Sequence, residues 1–439
     1  MKKKFHIITY GCQMNRYDSA VLRSFLEEKG HRWTDDVVDA DLIIVNTCTV
    51  RQHAENRAIG RLEELVSLKR KHPDKKVGII GCVAQELGEK ILKKIPTLDF
   101  VVGTDKISAI ADIIDGTAEG KVYTDIDEKF YGLASPPHIE DGDFSAFVTI
   151  MRGCDNFCSY CIVPYVRGRE RSKPPQKIID EIKWAAERGV VEITLLGQNV
   201  NSYRYGDIDF PKLLEMVAQI ENIARIRFIT NHPKDFSKKI LDVVEKYRNK
   251  IPASFHLPLQ SGSDKILAAM NRKYTISQYL SIVEDIYRRF PDAIITTDII
   301  VGFPGEDEND FLQTISALNE IGFGGIFAFR YSVRNGTTSA KLKDNVPETE
   351  KIARLNEIIK LGIRLAQKYS RKQIGTIQKV LLGNISKKNP EFITSTAPSG
   401  RVVLIPRKEF FKKFVDVKIE KASTWVLWGK PIIFHNKPF

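Results

Sequence analysis

All six cysteines of this 439-residue chain fall into two groups of three. Cys154, Cys158 and Cys161 form a tight C-x3-C-x2-C run, Arg152-Gly153-Cys154-Asp155-Asn156-Phe157-Cys158-Ser159-Tyr160-Cys161. Three thiolates on one short loop can ligate three irons of a 4Fe–4S cluster and leave the fourth iron open. Structural zinc takes four protein ligands in a closed tetrahedron, and no fourth Cys or His lies close to this run. Cys12, Cys48 and Cys82 are spread, 36 and then 34 residues apart. Each ends an apolar, strand-like run: Phe5 to Gly11, Leu42 to Thr47 and Val77 to Gly81. Such a spacing is one βα unit, so the three thiols should emerge at the carboxyl ends of parallel strands, where open α/β sheets hold ligands. The trio reads as a second cluster site; the bland alternative is three small apolar core residues.

These thiols need a reducing setting and a scaffold. The chain opens Met1-Lys2-Lys3-Lys4-Phe5 and enters strand-like sequence without a signal-peptide core. No apolar run approaches the roughly 18–20 residues of a membrane span. A cytoplasmic protein is expected, and there unpaired thiols point to metal or catalysis rather than disulfides. The net charge of +12 is unevenly placed: residues 371–439 hold 14 Lys/Arg against 4 Asp/Glu, and the preceding 370 residues hold 53 against 51. A basic tail on a nearly neutral body fits a polyanion partner, RNA or DNA first, although a solvated surface would look similar.

The pattern predicts an α/β chain. Residues 1–115 alternate strand and helix as an open parallel-sheet domain, and 116–145, polar with Pro136-Pro137, read as a linker. Residues 146–371 restart the alternation, with strand candidates Phe147–Met151, Glu192–Leu196, Arg225–Thr230, Ser254–Leu259, Ile294–Val301 and Ile326–Tyr331, and a helix Lys177–Arg188. Six βα units fall short of the eight that close a TIM barrel, so a partial, open (β/α)6 barrel is expected. A long helix, Glu348–Lys372, leads to residues 372–437. That tail alternates in Gln378–Ile385, Arg401–Ile405 and Val415–Ile419, with turns at Pro398-Ser399-Gly400 and Gly429-Lys430-Pro431. It reads as a small antiparallel β-barrel of a kind that binds RNA, with Trp425 and Trp428 as candidate contacts or as core.

The CxxxCxxC run, with Tyr160 before its last cysteine, resembles the signature of the radical S-adenosylmethionine (SAM) superfamily. With a three-Cys α/β domain before it and a basic β tail after it, the chain resembles the radical SAM methylthiotransferase family along nearly its whole length. The tail is similar to that family's TRAM domain. Three segments look like the MiaB-type branch acting on tRNA: Tyr10-Gly11-Cys12-Gln13-Met14-Asn15, Ile162-Val163-Pro164-Tyr165-Val166-Arg167-Gly168-Arg169-Glu170-Arg171-Ser172 and Leu195-Leu196-Gly197-Gln198-Asn199-Val200-Asn201-Ser202-Tyr203. The branch that modifies a ribosomal protein usually carries Pro-Lys at Gln13-Met14, and the threonylcarbamoyl-adenosine branch Lys-Val.

The resemblance implies addition of a methylthio group to C2 of N6-isopentenyl-adenosine beside the anticodon. An aromatic C–H bond offers no acidic proton or leaving group, so cofactors must carry the hard step. Two 4Fe–4S clusters are implied. One, on Cys154, Cys158 and Cys161, would release a deoxyadenosyl radical from SAM; the other, on Cys12, Cys48 and Cys82, would hold sulfur methylated by another SAM. Tyr160, Gly197, Gln198, Asn199 and Asp298 match positions near SAM, and Gln260 at the end of the fourth core strand offers a polar group to the same mouth. Arg167, Arg169 and Arg171 could meet tRNA phosphates. The implied partners are the tRNA anticodon stem-loop, an electron donor such as flavodoxin or ferredoxin, and a sulfur source, with no membrane. The alternatives are another branch of the family, or a non-catalytic iron–sulfur or zinc protein that binds RNA.

Overall fold

The computed structural model describes residues 2–49, 52–127, 129, 132–407 and 413–432. The expected end of the tail at 437 lies outside them.

The N-terminal unit is a six-stranded parallel sheet. Its strands are β1 (Lys4–Thr9), β2 (Arg32–Trp33), β3 (Leu42–Thr47), β4 (Lys76–Gly81), β5 (Phe100–Val102) and β6 (Val122–Tyr123), in the order β2-β1-β3-β4-β5-β6. All pairs are parallel, and β3 is buried on both faces, which explains its continuous apolar sequence. Helix α1 (Gln13–Glu28) covers one face through Leu22 and Leu26, and α2 (Gln52–Ser67) covers the other through Ala58, Leu62 and Leu65. The strand β6 corrects the expected linker: Val122 and Tyr123 complete the sheet edge against Val101 and Val102. Two residues of weak pattern gave no strand signal of their own; the neighbouring strand supplies the pairing.

The second unit has six parallel strands: β7 (Ser145–Thr149), β8 (Glu192–Leu196), β9 (Arg225–Phe228), β10 (Ser254–His256), β11 (Ile294–Val301) and β12 (Gly325–Arg330). They form two ladders, β9-β8-β7 and β10-β11-β12, around one shared core that contains Ile193, Ile226, Phe255 and Ile295. The partial barrel is therefore present, with a break in the ladder between β9 and β10. Helix Glu348–Lys372 starts and ends where its sequence pattern predicts.

The tail is a closed barrel, β13 (Ile377–Ile385), β14 (Phe392–Thr396), β15 (Val402–Pro406), β16 (Phe414–Ala422) and β17 (Val426–Pro431), in the order β13-β14-β15-β17-β16. The turn at Pro398-Ser399-Gly400 is found, Gly400 adopting a φ of 82°. The second expected turn is not: Gly429 and Pro431 lie inside β17. A Cβ at Gly429 would meet Val417 Cγ1 at 2.4 Å, so that glycine permits close strand packing rather than a reversal. The tail docks on the amino ends of the core strands. Arg225 donates to Thr396 O (3.0 Å), Arg227 to Ala397 O (2.7 Å) and Pro398 O (2.9 Å), and Arg401 to Gly324 O.

Candidate active site

In the N-terminal sheet the strand order reverses between β1 and β3, and at such a switch point the following loops diverge and leave a crevice. Cys12 follows β1 and caps the start of α1; Cys48 follows β3; Cys82 opens the short helix after β4. Cys48 and Cys82 are buried and Cys12 is exposed. A polar lattice ties the three strand ends together. The Cys12 thiol donates to Asn15 Oδ1 (3.2 Å), Asn15 Nδ2 donates to Asn46 Oδ1 and Thr47 O (both 2.9 Å), and Thr47 Oγ1 donates to Ile80 O (2.7 Å). Gly11, at φ 144°, lies where a Cβ would come within 2.6 Å of Cys48 Cβ, so any larger residue would force the first two thiol loops apart. A hydrogen bond with Cys48 brings the Cys12 thiol down to about 6, with help from the charge of Arg167. Burial pushes the Cys82 thiol up.

The second trio sits on a loop pinched at its base by a two-residue antiparallel ribbon, Met151 against Ser172 and Arg152 against Arg171. Gly153, at φ 77°, allows this closure, since a Cβ there would lie 1.9 Å from Arg169 O. From across the barrel mouth Asn271 Nδ2 donates to Phe157 O (2.9 Å), Ser159 N to Met270 O (3.0 Å), and Arg272 to Cys158 Sγ (3.2 Å). Burial pushes Cys154 up to about 11; burial and the neighbouring Cys158 push Cys161 up to about 12. Thiols so placed are neutral when unligated, and metal binding must displace their protons. Tyr160 packs beside Met270, Phe303 and Tyr331.

The strand ends bring the other predicted residues to the same mouth. Gln198 Oε1 accepts from Gly153 N (2.6 Å), and Asn199 Nδ2 donates to Asp235 Oδ2 (2.7 Å). Gly197 packs so closely on Met151 that a Cβ would lie 2.6 Å from its Cγ. Asp298 lies 3.4 Å from His256 Nε2. Gln260 takes a φ of 73°, and its Oε1, like Asn199 Oδ1, is buried without a hydrogen-bond partner among the described residues. The non-glycine residues with positive φ, namely Phe157, Thr230, Gln260, Asn271 and Lys273, all gather here, and such strain persists where surrounding contacts fix it.

Comparison with known proteins settles the affiliation. Residues 148–318 match the radical SAM superfamily, and residues 4–103 match a family described as "Uncharacterized protein family UPF0004". The tRNA-2-methylthio-N(6)-dimethylallyladenosine synthase of Thermodesulfovibrio yellowstonii is 44% identical over 424 residues, covering 97% of each chain. Its namesake in Caldicellulosiruptor saccharolyticus is 44% identical over 439 residues, covering 98% of this chain and 93% of the relative. The chain belongs to the tRNA-2-methylthio-N(6)-dimethylallyladenosine synthase family. The radical SAM methyltransferase TsrM of Kitasatospora setae, solved with cobalamin and a [4Fe-4S] cluster, shares the fold: TM-score 0.60 at 12% identity, covering 86% of this chain and 81% of TsrM. Radical SAM membership brings one 4Fe–4S cluster and SAM with it.

Within this synthase-family fold, the arginines expected at tRNA phosphates are placed otherwise. Arg167 is buried and reaches Asp18 (3.4 Å) and Cys82; burial opposes its charge, but the Cys82 thiol and Asp18 outweigh it. Arg171 is buried on Asp105 (2.7 Å). Only Arg169 is exposed, paired with Asp155 (2.9 Å) and lying over the Phe157 ring. The first two are domain ties, not free phosphate ligands. The sequence reading also missed Asn46, Thr47, Asn271 and Arg272. Asn46 and Thr47 carried a signal, being polar residues in an otherwise apolar buried strand; Arg272 carried none. Among the described residues, no three His, Cys, Asp or Glu side chains gather around a single-ion position. A cluster takes its thiolates on separate irons and needs no such spacing. No helix among those residues is long and apolar enough to cross a membrane.

Proposed function

We propose that this chain adds a methylthio group to C2 of N6-isopentenyl-adenosine beside the tRNA anticodon, using two 4Fe–4S clusters and SAM as both radical source and methyl donor. The observation that carries this reading is the pairing of the two trios. Each offers three thiols and no fourth ligand from its own loop, and the two scaffolds are locked together by the Asp18 contacts to Arg152 and Arg167. The donor sets suit clusters with an open iron better than closed structural zinc.

Cys154, Cys158 and Cys161 would hold one cluster and Cys12, Cys48 and Cys82 the other. Bound there, clusters and SAM supply the one-electron chemistry that an unactivated C–H bond requires. The protein's own share is placement. Gln198 holds Gly153 and so fixes the loop base. Gly197 lets its loop pack directly on Met151 beside the cluster loop, and Tyr160 offers an aromatic wall. The unpartnered acceptors on Asn199 and Gln260, with Asp298, suit the ammonium and hydroxyl donors of SAM. The tRNA loop enters between the domains with its target base unstacked. A flavodoxin- or ferredoxin-type donor, a sulfur source and a cytoplasmic setting complete the reading.

Mass spectrometry of tRNA nucleosides, with and without the isopentenyl group, tests it. Methylthio product should require the isopentenyl group. The Cys12→Ala variant should lose product while SAM cleavage to deoxyadenosine continues; Cys158→Ala should lose both. Turnover on a ribosomal protein, and on neither tRNA, would overturn the substrate assignment.

A further inference from the structure

On the sheet face covered by α2, a groove of about 600 Å³ runs between the end of β1 and that helix. Its lining includes His6, Tyr10, Arg57, Gly60, Arg61 and Glu64. Gly60 stands inside a 16-residue helix, where glycine is an unfavourable choice. Nothing in the fold calls for it: a Cβ would meet no atom within 4 Å, and its φ is not positive. The open space belongs to the groove. Facing it, the Arg57 guanidinium lies 5.7 Å from the centre of the Tyr10 ring, and His6 stacks on Trp33 with centroids 5.1 Å apart. The groove's carboxylate, Glu64, is engaged by Arg61 at 2.6 Å. Tyr10, just past the end of β1, precedes Cys12 by two residues in the same loop. Near the same end of α2, Glu55 is paired with Arg334 of the core at 2.9 Å, which fixes the helix against the barrel mouth.

We propose that this groove binds a nucleotide of the single-stranded tRNA loop flanking the target base, with its base against Tyr10, its phosphate on Arg57 and its backbone over Gly60. The assignment rests on the function proposed above and adds a subsite to it. Aromatic and guanidinium groups side by side suit a base and its phosphate together, and they tolerate any base identity. Because Tyr10 and Cys12 share the loop that follows β1, a nucleotide held on Tyr10 would set the register of its neighbour at the N-terminal trio.

The test uses the full chain and a synthetic anticodon stem-loop RNA carrying isopentenyl-adenosine, with binding followed by fluorescence anisotropy across a salt series. Gly60→Leu should melt at or above the wild-type temperature yet bind the stem-loop roughly tenfold more weakly. Arg57→Gln should flatten the slope of log K against log salt by about 0.7, the value for one phosphate contact on a single strand. Should Gly60→Leu fail to fold, the Arg57→Gln slope decides alone. Wild-type binding in both folded variants overturns the subsite and leaves the proposed function standing. A selective loss of SAM affinity, with RNA binding intact, gives the groove to the adenosine of SAM and overturns the RNA assignment. A wild-type protein that does not bind the stem-loop overturns the function and the subsite together.

Discussion

Asp18 and Arg152 are ion-paired across the boundary between the N-terminal sheet and the open barrel, and both are buried. Arg167 shares the same carboxylate at 3.4 Å, so one anion from α1 meets two guanidiniums from the segments flanking the cluster loop. Asp18→Asn removes the carboxylate that these two buried guanidiniums share. It should cost about 3–5 kcal/mol in urea denaturation. A change below about 1 kcal/mol would mean that the pair merely breaks even with water.

Arg272 joins the core cluster loop to Tyr274 and Pro258. It donates to Cys158 Sγ, and removing that donor and its charge should make a cluster on this loop harder to reduce. For Arg272→Gln we expect a potential lower by on the order of 50–100 mV, from a charged hydrogen bond converted to a one-electron couple. An EPR-monitored redox titration reads this directly, and an unchanged or raised potential contradicts it.

His232 makes stability depend on pH. The ring is buried edge-on to Tyr274, and its Nδ1 accepts from Lys234 N at 3.3 Å. Burial first, then the nearby charges of Arg272, Lys234 and Lys273, hold its pKa far below the usual His value. Below about pH 6.5 the unfolded chain takes up a proton that the folded chain refuses, so stability falls as pH falls, by about 1.4 kcal/mol per unit. Denaturation curves at pH 5 and 7 should therefore differ more for the wild type than for His232→Gln. Equal differences would show that the ring protonates in the folded state.

The two proposed cluster sites imply an iron count. Anaerobically reconstituted protein should hold about twice the iron of the Cys154/Cys158/Cys161→Ala triple variant. Loss of all iron, or of none, in that variant is incompatible with separate sites.

The tail can be tested by charge instead of truncation. Its removal would strip Arg225 and Arg227 of the carbonyls they bind and disturb the core itself. Lys387 and Lys388 are exposed on the tail, so replacing both with Glu should weaken tRNA binding and flatten its salt dependence without lowering the melting temperature. Unchanged tRNA binding would place the RNA contacts elsewhere.

Elements with a strong apolar pattern were legible in the sequence, and their partners were not. Glu192–Leu196 and Ile294–Val301 are strands from end to end, the first buried at every residue and the second buried at most of them, with Thr296, Asp298 and Ile300 half-buried. Phe392–Thr396 was missed because a short, partly polar strand is defined by its neighbours in a barrel. The six thiols stood out by type and spacing. Arg167 and Arg171 were misread because a run of arginines looks like surface, while the acids that bury them lie 149 and 66 residues away in the chain. Pairing at that distance leaves no local trace.

The docking of the tail on the amino ends of the core strands also dictates an order of events at the ribosome. The core leaves the exit tunnel before its seal exists, and domains fold largely as they emerge. Until β14 and β15 are made, Glu192, Arg225 and Arg227 form a charged cluster open to water at the foot of the barrel. Only when synthesis has passed Arg401 can Thr396 accept from Arg225, Ala397 and Pro398 accept from Arg227, and Arg401 reach Gly324 to close it. A chain cut short before that point would carry both thiol trios on a core with an unfinished floor.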